Sequence, residues 1–457
     1  MQWLSAQDDE LGLFTDLYEL TMAQAYWYEG MHADATFSLF FRKPPTNRAI
    51  VLACGQEHAA ELITRIRFPH EQLDRLADLK LFREPFLRYL EDFRFSGEIR
   101  AIPDGTPVFP QEPLLEVTAP VIEAQVLETA LMNYVHLETL LASKALRVVD
   151  AARGRPVLDF GMRRMHGQDA ALRGTRAYAI AGIHGTSNVL GAFRYGLQPQ
   201  GTMAHSFIQA HVDELLAFRT YAELYPGTTL LVDTYDTLAG VDKVIRLARD
   251  EGLDIGAIRL DSGDLAELAR AARRRLDAAG LNTIRIVASG GLDEWKIHAL
   301  VEAGAPIDGF GVGTDMGTSG DSPSLDLVYK LTEYADEPRL KNSPGKQLTP
   351  GRKQVWRARG ADGRFQGDEI TRVDEVGTGE ALLHPLVHHG QLLHPPRPTH
   401  QVRETAAAAL DALPAELRQL DAAMSAYPVR FSDALLALRQ RALDALPAPP
   451  SIVGSDG

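Results

Sequence analysis

Three short apolar runs between Ile255 and Thr314 each stop at a cluster of glycines or carboxylates, and this repetition constrains the fold more than any other feature of the chain. They read Ile255-Gly-Ala-Ile-Arg-Leu-Asp-Ser-Gly-Asp264, Ile284-Arg-Ile-Val-Ala-Ser-Gly-Gly291 and Ile307-Asp-Gly-Phe-Gly-Val-Gly-Thr314. Amphipathic helical sequence, Leu265–Ala279 and Glu294–Ala303, separates them. Strand, loop and helix in repetition predict parallel strands joined by right-handed crossovers. In such folds the functional groups gather at the carboxyl ends of the strands, where these polar tips fall. Glycine lets backbone N–H groups approach an anion closely, so the two glycine tips suit a phosphate. The carboxylates of Asp261 and Asp264 suit magnesium or a ribose diol. The pattern implies an enzyme acting on a phosphorylated sugar.

Further candidate strands precede these, at Pro156–Phe160, Tyr178–His184, Gln200–His205 and Thr228–Thr234. Seven in all predict an α/β protein with an irregular or incomplete (β/α) barrel. Leu325–Thr332 is either an eighth strand or a return to a second domain. Earlier in the chain, Thr15–Trp27 has helical spacing behind a capping Thr15 or Asp16. Ala35–Phe41 alternates like a strand, and Phe95–Pro120 is short β sequence broken by turn dipeptides. Helical sequence from Ile122 to Arg153 leads into the barrel. The expected organisation is an N-terminal α+β domain (1–130), an irregular barrel (131–335) and a C-terminal segment (336–446). That last segment completes the first, discontinuous domain and adds a helical cap over Glu404–Leu438. Residues 447–457 are expected to be disordered.

A chain of 457 residues exceeds one compact domain. Its net charge of −14 argues against a broad nucleic-acid footprint, although a few arginines and magnesium can still reverse the field locally. No apolar run approaches the roughly 18 residues of a membrane span. The amino terminus lacks the features of a secretory signal, and the single cysteine, Cys54, cannot form an internal disulfide. The cytoplasm is the expected compartment.

Other strand ends carry chemistry as well. Gly201-Thr-Met-Ala-His205-Ser206 puts a histidine among hydroxyls, a candidate nucleophile or acid/base. Leu158-Asp-Phe160-Gly-Met-Arg163-Arg164 places two guanidinium groups where they can hold carboxylates or phosphates. Ala181-Gly-Ile-His184-Gly-Thr-Ser187-Asn188 ends in small hydrogen-bonding groups, and Leu231-Val-Asp233-Thr-Tyr-Asp236 ends in carboxylates.

Taken with Thr15-Asp-Leu-Tyr18-Glu-Leu, these motifs resemble nicotinate phosphoribosyltransferase in order and spacing over roughly residues 11 to 335; the tail after Glu337 matches loosely. The resemblance implies that nicotinate attacks C1 of phosphoribosyl pyrophosphate, giving nicotinate mononucleotide and pyrophosphate with magnesium. It implies ATP hydrolysis coupled through a phosphohistidine at His205, with Thr202 and Ser206 as hydrogen-bond donors nearby. Tyr18 and Phe160 match the aromatic pair around the pyridine ring. The tyrosine comes from the other subunit in relatives, which implies a homodimer. Arg163, Arg259 and Thr202 match nicotinate and pyrophosphate contacts, and Ser289, Gly290, Gly291, Gly313 and Thr314 match the 5′-phosphate site. Asp261 would hold ribose hydroxyls or magnesium, with Asp264 as a second metal ligand.

Two related activities compete. Nicotinamide phosphoribosyltransferase carries an acidic residue where this chain has Ser187, and a carboxylate there would repel nicotinate. Quinolinate phosphoribosyltransferase is much shorter and lacks the Gly-Thr-x-x-His-Ser motif. A barrel lyase or isomerase for sugar phosphates would share the glycine cradle, but the predicted tips carry no lysine for a Schiff base. His384, His388, His389, His394 and His400 sit in proline-broken sequence of strand-and-turn character and lack the spacing of a zinc site. Cys54 reads as a small buried hydrophobe.

Overall fold

The computed structural model describes residues 8–45, 47–341, 348–421 and 427–446. The tail expected to be disordered, 447–457, lies outside them. Seven strands form one parallel sheet, in the spatial order Gln198–Pro199, Gly185–Thr186, Val157–Asp159, Gly309–Val312, Arg285–Ala288, Ile255–Leu260 and Thr228–Leu231. Every neighbouring pair is parallel. The two end strands, Gln198–Pro199 and Thr228–Leu231, do not pair with each other, so the sheet is a curled half-barrel. Helices Thr237–Asp250, Leu265–Ala278 and Glu294–Glu302 form the crossovers. Each starts at an aspartate (Asp236, Asp264, Asp293) whose carboxylate accepts a first-turn N–H, which stops the chain as a strand and starts it as a helix.

A second sheet is wholly antiparallel and draws on distant parts of the chain. Its central strand, Asp34–Phe41, pairs with Leu115–Pro120 on one side and Leu327–Tyr334 on the other. Glu98–Ala101 and His384–His388 extend it. Leu325–Thr332 therefore marks the return to the antiparallel layer, and the barrel has no eighth strand at that point. The histidine-rich segment is a hairpin, His384–His388 with Gln391–Leu392. A third sheet, of four strands, comes entirely from the tail.

Three expectations shift. Gln200–His205, read as a strand, is not one: the edge strand is Gln198–Pro199, and His205 opens the short helix His205–Gln209. Tyr178–His184, read as a strand, lies mostly in the helix Gln168–Ile180. That helix is buried from Arg173 to Ile180, and a short segment apolar on all sides has no periodicity to separate buried strand from buried helix. The strand that follows is only Gly185–Thr186. The segment Glu404–Leu438 is not one helical cap: helix Thr399–Asp411 ends before Pro414, and a strand, Val429–Phe431, follows Pro428.

The half-barrel core and the core under the antiparallel sheet are separate clusters, and the tail packs on both. Val402, Ala406 and Tyr427 join the first, Val355, Ile370 and Val387 the second. Helix Glu128–Ala151 runs between them. Charge crosses the same boundary. Arg176, fully buried, donates to Asp104 at 2.7 Å and Glu138 at 2.6 Å, joining the antiparallel region to two barrel helices. Replacing Arg176 with Leu would leave buried Asp104 without its cation and buried Glu138 with only the longer Arg173 contact at 3.4 Å. It should destabilise the fold by about 3–5 kcal/mol, read as a fall in the denaturation midpoint; an unchanged midpoint would show that water reaches both acids.

Candidate active site

Six of the seven parallel strands deliver residues at their carboxyl ends to one cavity of about 260 Å³; the edge strand Thr228–Leu231 delivers none. Phe160, Arg163 and Arg164 follow the strand Val157–Asp159, and Ser187 follows Gly185–Thr186. Gly201 and Thr202 follow the short edge strand, and Arg259 and Asp261 flank the end of Ile255–Leu260. Ser289, Gly290, Gly291, Gly313 and Thr314 complete the wall. Thus most residues singled out from the sequence share one pocket. Tyr18, His205, Ser206 and Asp264 are not among its lining residues. A larger cleft of about 670 Å³ lies elsewhere, between Arg65, Arg173 and Arg397, but those cations are already paired with Asp8, Glu138 and Glu57.

Arg259 organises the pocket. Its Nε donates to Ser289 Oγ at 2.7 Å, Nη1 to Thr202 Oγ1 at 2.8 Å and Nη2 to Asp261 Oδ1 at 2.5 Å. One planar fork therefore ties three strand tips together. The same guanidinium lies 5.4 Å from the centre of the Phe160 ring. That ring rests on Gly311, where an added Cβ would sit 2.4 Å from it. Asp261 also accepts from Ser289 Oγ. Burial pulls its carboxyl up, but Ser289, Arg259 and His205 outweigh burial and hold it below the usual range. Asp261 stays charged throughout the neutral range.

His205 sits at the seam where the half-barrel fails to close. Its Nδ1 lies 3.1 Å from Thr234 Oγ1, and its Nε2 lies 3.9 Å from Asp261 Oδ2. Thr234 had no mark in the sequence beyond ending the candidate strand Thr228–Thr234, and it lies past the actual strand end at Leu231. Asp233 accepts from the Asp261 N–H and the Ser262 hydroxyl through Oδ2, while its Oδ1 is buried with no hydrogen-bond partner. Asp264 is engaged differently, because its carboxylate caps helix Leu265–Ala278 through the Glu267 N–H. Asp159, buried, accepts from Gly161 N–H and Thr186 Oγ1 and so fixes the loops carrying Phe160 and Ser187. Burial pushes its carboxyl up, against those two bonds.

The glycine tips need glycine for two reasons. Gly290 has φ +86°, and a Cβ there would lie 1.7 Å from the Asp261 carbonyl oxygen. Gly291 has φ +60°. Backbone N–H groups in such a turn form an anion-binding concavity.

Tyr18 lies on helix Leu17–Tyr28 and is 46% exposed. Burial on its inner side, then Glu128 and Glu19, push its phenol up, so it remains neutral. Beside it Glu19 is fully buried, accepting from the Thr129 N–H at 3.0 Å and from the hydroxyls of Thr15 and Thr129.

Residues 13–136 match the nicotinate phosphoribosyltransferase (NAPRTase) N-terminal domain, and residues 156–372 match the nicotinate phosphoribosyltransferase (NAPRTase) family. A nicotinate phosphoribosyltransferase of Mycobacterium tuberculosis is 49% identical over 450 residues, 97% of each chain. One from Bacillus subtilis is 41% identical and covers 83% of this chain and 80% of its own. The crystal structure of human nicotinic acid phosphoribosyltransferase superposes with a TM-score of 0.82 at 28% identity, over 93% of this chain and 99% of that one. The chain belongs to the nicotinate phosphoribosyltransferase family.

Two outcomes follow from the geometry. Gly290→Ala should reshape the tip, because its Cβ would meet the Asp261 carbonyl oxygen at 1.7 Å; if this tip is the phosphate cradle, a titration with ribose 5-phosphate should show affinity lowered at least about tenfold, and unchanged affinity would remove the tip from the anion site. Burial raises the Glu19 carboxyl to about 7. The folded state therefore binds the extra proton, and stability should fall as pH rises from the ordinary glutamate range through about 7. Glu19→Gln should narrow the difference in melting temperature between about pH 5 and about pH 8, which spans most of this window; an unaltered difference would mean Glu19 is ionised in the fold at both.

Proposed function

We propose that this protein joins nicotinate to phosphoribosyl pyrophosphate, forming nicotinate mononucleotide and pyrophosphate, the first step of NAD synthesis from nicotinate. The observation that carries the reading is the Arg259 fork, which gathers Thr202, Ser289 and Asp261 beside an aromatic ring and two glycine tips. The 5′-phosphate fits the tips at Ser289–Gly291 and Gly313–Thr314. The pyridine ring stacks on Phe160, and Arg163 or Arg164 receives the nicotinate carboxylate bidentately. Ser187 in the same wall offers a hydroxyl and no negative charge, which favours the acid over nicotinamide. The pocket lining contains no lysine, which weighs against a Schiff-base lyase.

In the reaction the ring nitrogen forms a bond to C1 as the C1–O bond to pyrophosphate breaks, with cationic character at C1. Asp261 supplies fixed negative charge close to that carbon, and Arg259 exchanges its internal partners for the departing pyrophosphate. The hard oxygens at the tips suit magnesium: Asp261 carries charge, and the Asp233 Oδ1 atom is buried with no hydrogen-bond partner. Asp264 is the weaker candidate because capping occupies it. Among the described residues no three potential ligands converge, which suits an ion brought largely by substrate phosphates. When bound, magnesium would neutralise charge on the leaving pyrophosphate.

ATP belongs to the same reading. A neutral His205 attacks the γ-phosphorus, the bond to ADP breaks, and water later releases phosphate from the imidazole. This makes the enzyme an ATP-coupled ligase. Thr234 orients the ring, and Ser206 and Thr202 stand close in sequence to receive phosphate oxygens. The exposed Tyr18 and Leu17, and Val189, Leu190 and Phe193 beyond the Ser187 tip, suit a homodimer in which Tyr18 of one copy closes the ring site of the other. No helix among the described residues is long and apolar enough to cross a membrane, and a cytoplasmic setting fits that.

The test is product mass from nicotinate or nicotinamide with phosphoribosyl pyrophosphate and magnesium, with and without ATP. Nicotinate mononucleotide from the acid, accelerated by ATP, is expected. His205→Ala should abolish the acceleration and leave slow ATP-independent transfer. Preference for nicotinamide would overturn the Ser187 argument, and intact ATP stimulation in the variant would overturn the phosphohistidine.

A further inference from the structure

The two halves of the glycine cradle are held from behind by one buried ammonium. The loop Ser289–Gly291 leads into helix Glu294–Glu302, whose first residue, Glu294, is fully buried. The loop through Gly313 opens the helical turn Thr314–Thr318, whose second residue is Asp315. Both carboxylates meet Lys144, on helix Glu128–Ala151. Its Nζ lies 2.5 Å from Glu294 Oε2, 2.6 Å from Asp315 Oδ2 and 2.9 Å from Asp321 Oδ1. The Lys144 side chain is 1% exposed and is not among the pocket-lining residues.

The surrounding charges complete a balanced set. Arg147 Nε donates to the second oxygen of Glu294 at 3.0 Å. Arg48, fully buried, donates to Asp321 at 2.8 Å and to Ser319 Oγ at 2.6 Å. Three cations therefore face three carboxylates. Burial opposes the Lys144 charge, but Glu294, Asp315 and Asp321 outweigh it and hold the ammonium above its ordinary range. Such a set adds little net stability over an apolar core, because desolvation offsets the attraction. What it adds is geometry: a hydrogen bond to Glu294 and short ion-pair contacts to Asp315 and Asp321 draw both loops toward one ammonium, where packed methyl groups would set no common point.

We propose that Lys144 is a positioning residue for the phosphate end of the substrate, setting the distance between the Ser289–Gly291 and Gly313–Thr314 tips without touching the ligand. This rests on the reading of those tips as the 5′-phosphate cradle. Anion sites built from backbone N–H groups lose affinity when their parts drift by roughly 0.5 Å, so the effect should fall on one ligand group.

The test uses the full-length protein with Lys144→Met and Asp315→Asn. The second keeps the lysine and its Glu294 partner and removes a single arm, at a partly exposed position. Binding of ribose 5-phosphate is titrated, and KM values for nicotinate and phosphoribosyl pyrophosphate are measured beside thermal unfolding. Lys144→Met should weaken ribose 5-phosphate binding and raise the KM for phosphoribosyl pyrophosphate at least about tenfold, with the KM for nicotinate within about twofold. Asp315→Asn should show a smaller loss of the same selectivity, and it decides the matter if Lys144→Met does not fold. Unchanged ribose 5-phosphate affinity, or an equal loss for both substrates, would overturn the assignment. Failure of the unmodified protein to bind ribose 5-phosphate would instead bring down the cradle reading on which it stands.

Discussion

One guanidinium holds the pocket in register. Arg259 stands at the end of the strand next to one edge of the sheet and donates to groups from three different tips, one of them across the open seam of the half-barrel. A parallel sheet fixes its strands only along their hydrogen-bonded lengths; the loops beyond them are free to splay. Thr202, which follows the edge strand, has no ladder partner on the seam side, and its hydroxyl reaches the sheet's far half through Arg259. A lysine would deliver the charge without the fork, and so could not satisfy the three partners in one plane.

The incomplete barrel has a chemical consequence. In a closed barrel, every tip would be flanked by two strands and backed by two helices. Here the segment Gly201–Ala204 crosses the gap without pairing, and His205 begins a short helix there, partly open to solvent. Thr234 from the opposite edge strand supplies the missing support through one hydrogen bond to the ring. A group that must meet two substrates in turn, ATP and then water in the proposed cycle, is better served at such a seam than inside a packed rim.

Much of this was legible in the sequence, for a physical reason. A buried parallel strand is a bare apolar run, so the first polar or glycine residue after it marks the tip, and the tips are where the chemistry lies. Asp261, Ser289 and Gly313 were marked that way, whereas Phe160 was singled out through the family resemblance and Ser187 stood after a predicted strand that is mostly helix. Asp264 lay in such a tip too, yet Asp264 with Glu267 before an amphipathic run is equally a helix start, and its carboxylate does that. Lys144 and Arg176 were invisible: a charged residue in helical sequence reads as a solvated face, and only the fold reveals the carboxylates from remote segments that surround it. Asp159 was quoted within its motif without a role, because the hydroxyl it accepts from, Thr186, is 27 residues away in the chain.

The charge of the whole chain and the charge of the pocket have opposite signs, and both follow from how the acids are used. The −14 balance is spread over surfaces and ion pairs. At the tips, Asp233 and Asp264 turn a carboxylate oxygen to backbone N–H groups, and Asp261 is bound to Arg259, so much of the local negative charge is already answered. Arg163 and Arg164 line the same cavity, and among the described residues no ion pair joins either of them to an acid. With the backbone N–H groups of the glycine tips added, the cavity offers more positive charge than its own carboxylates consume. In the proposed reaction an anionic ligand would meet cations held in place beforehand and would have the internal bonds of Arg259 to displace.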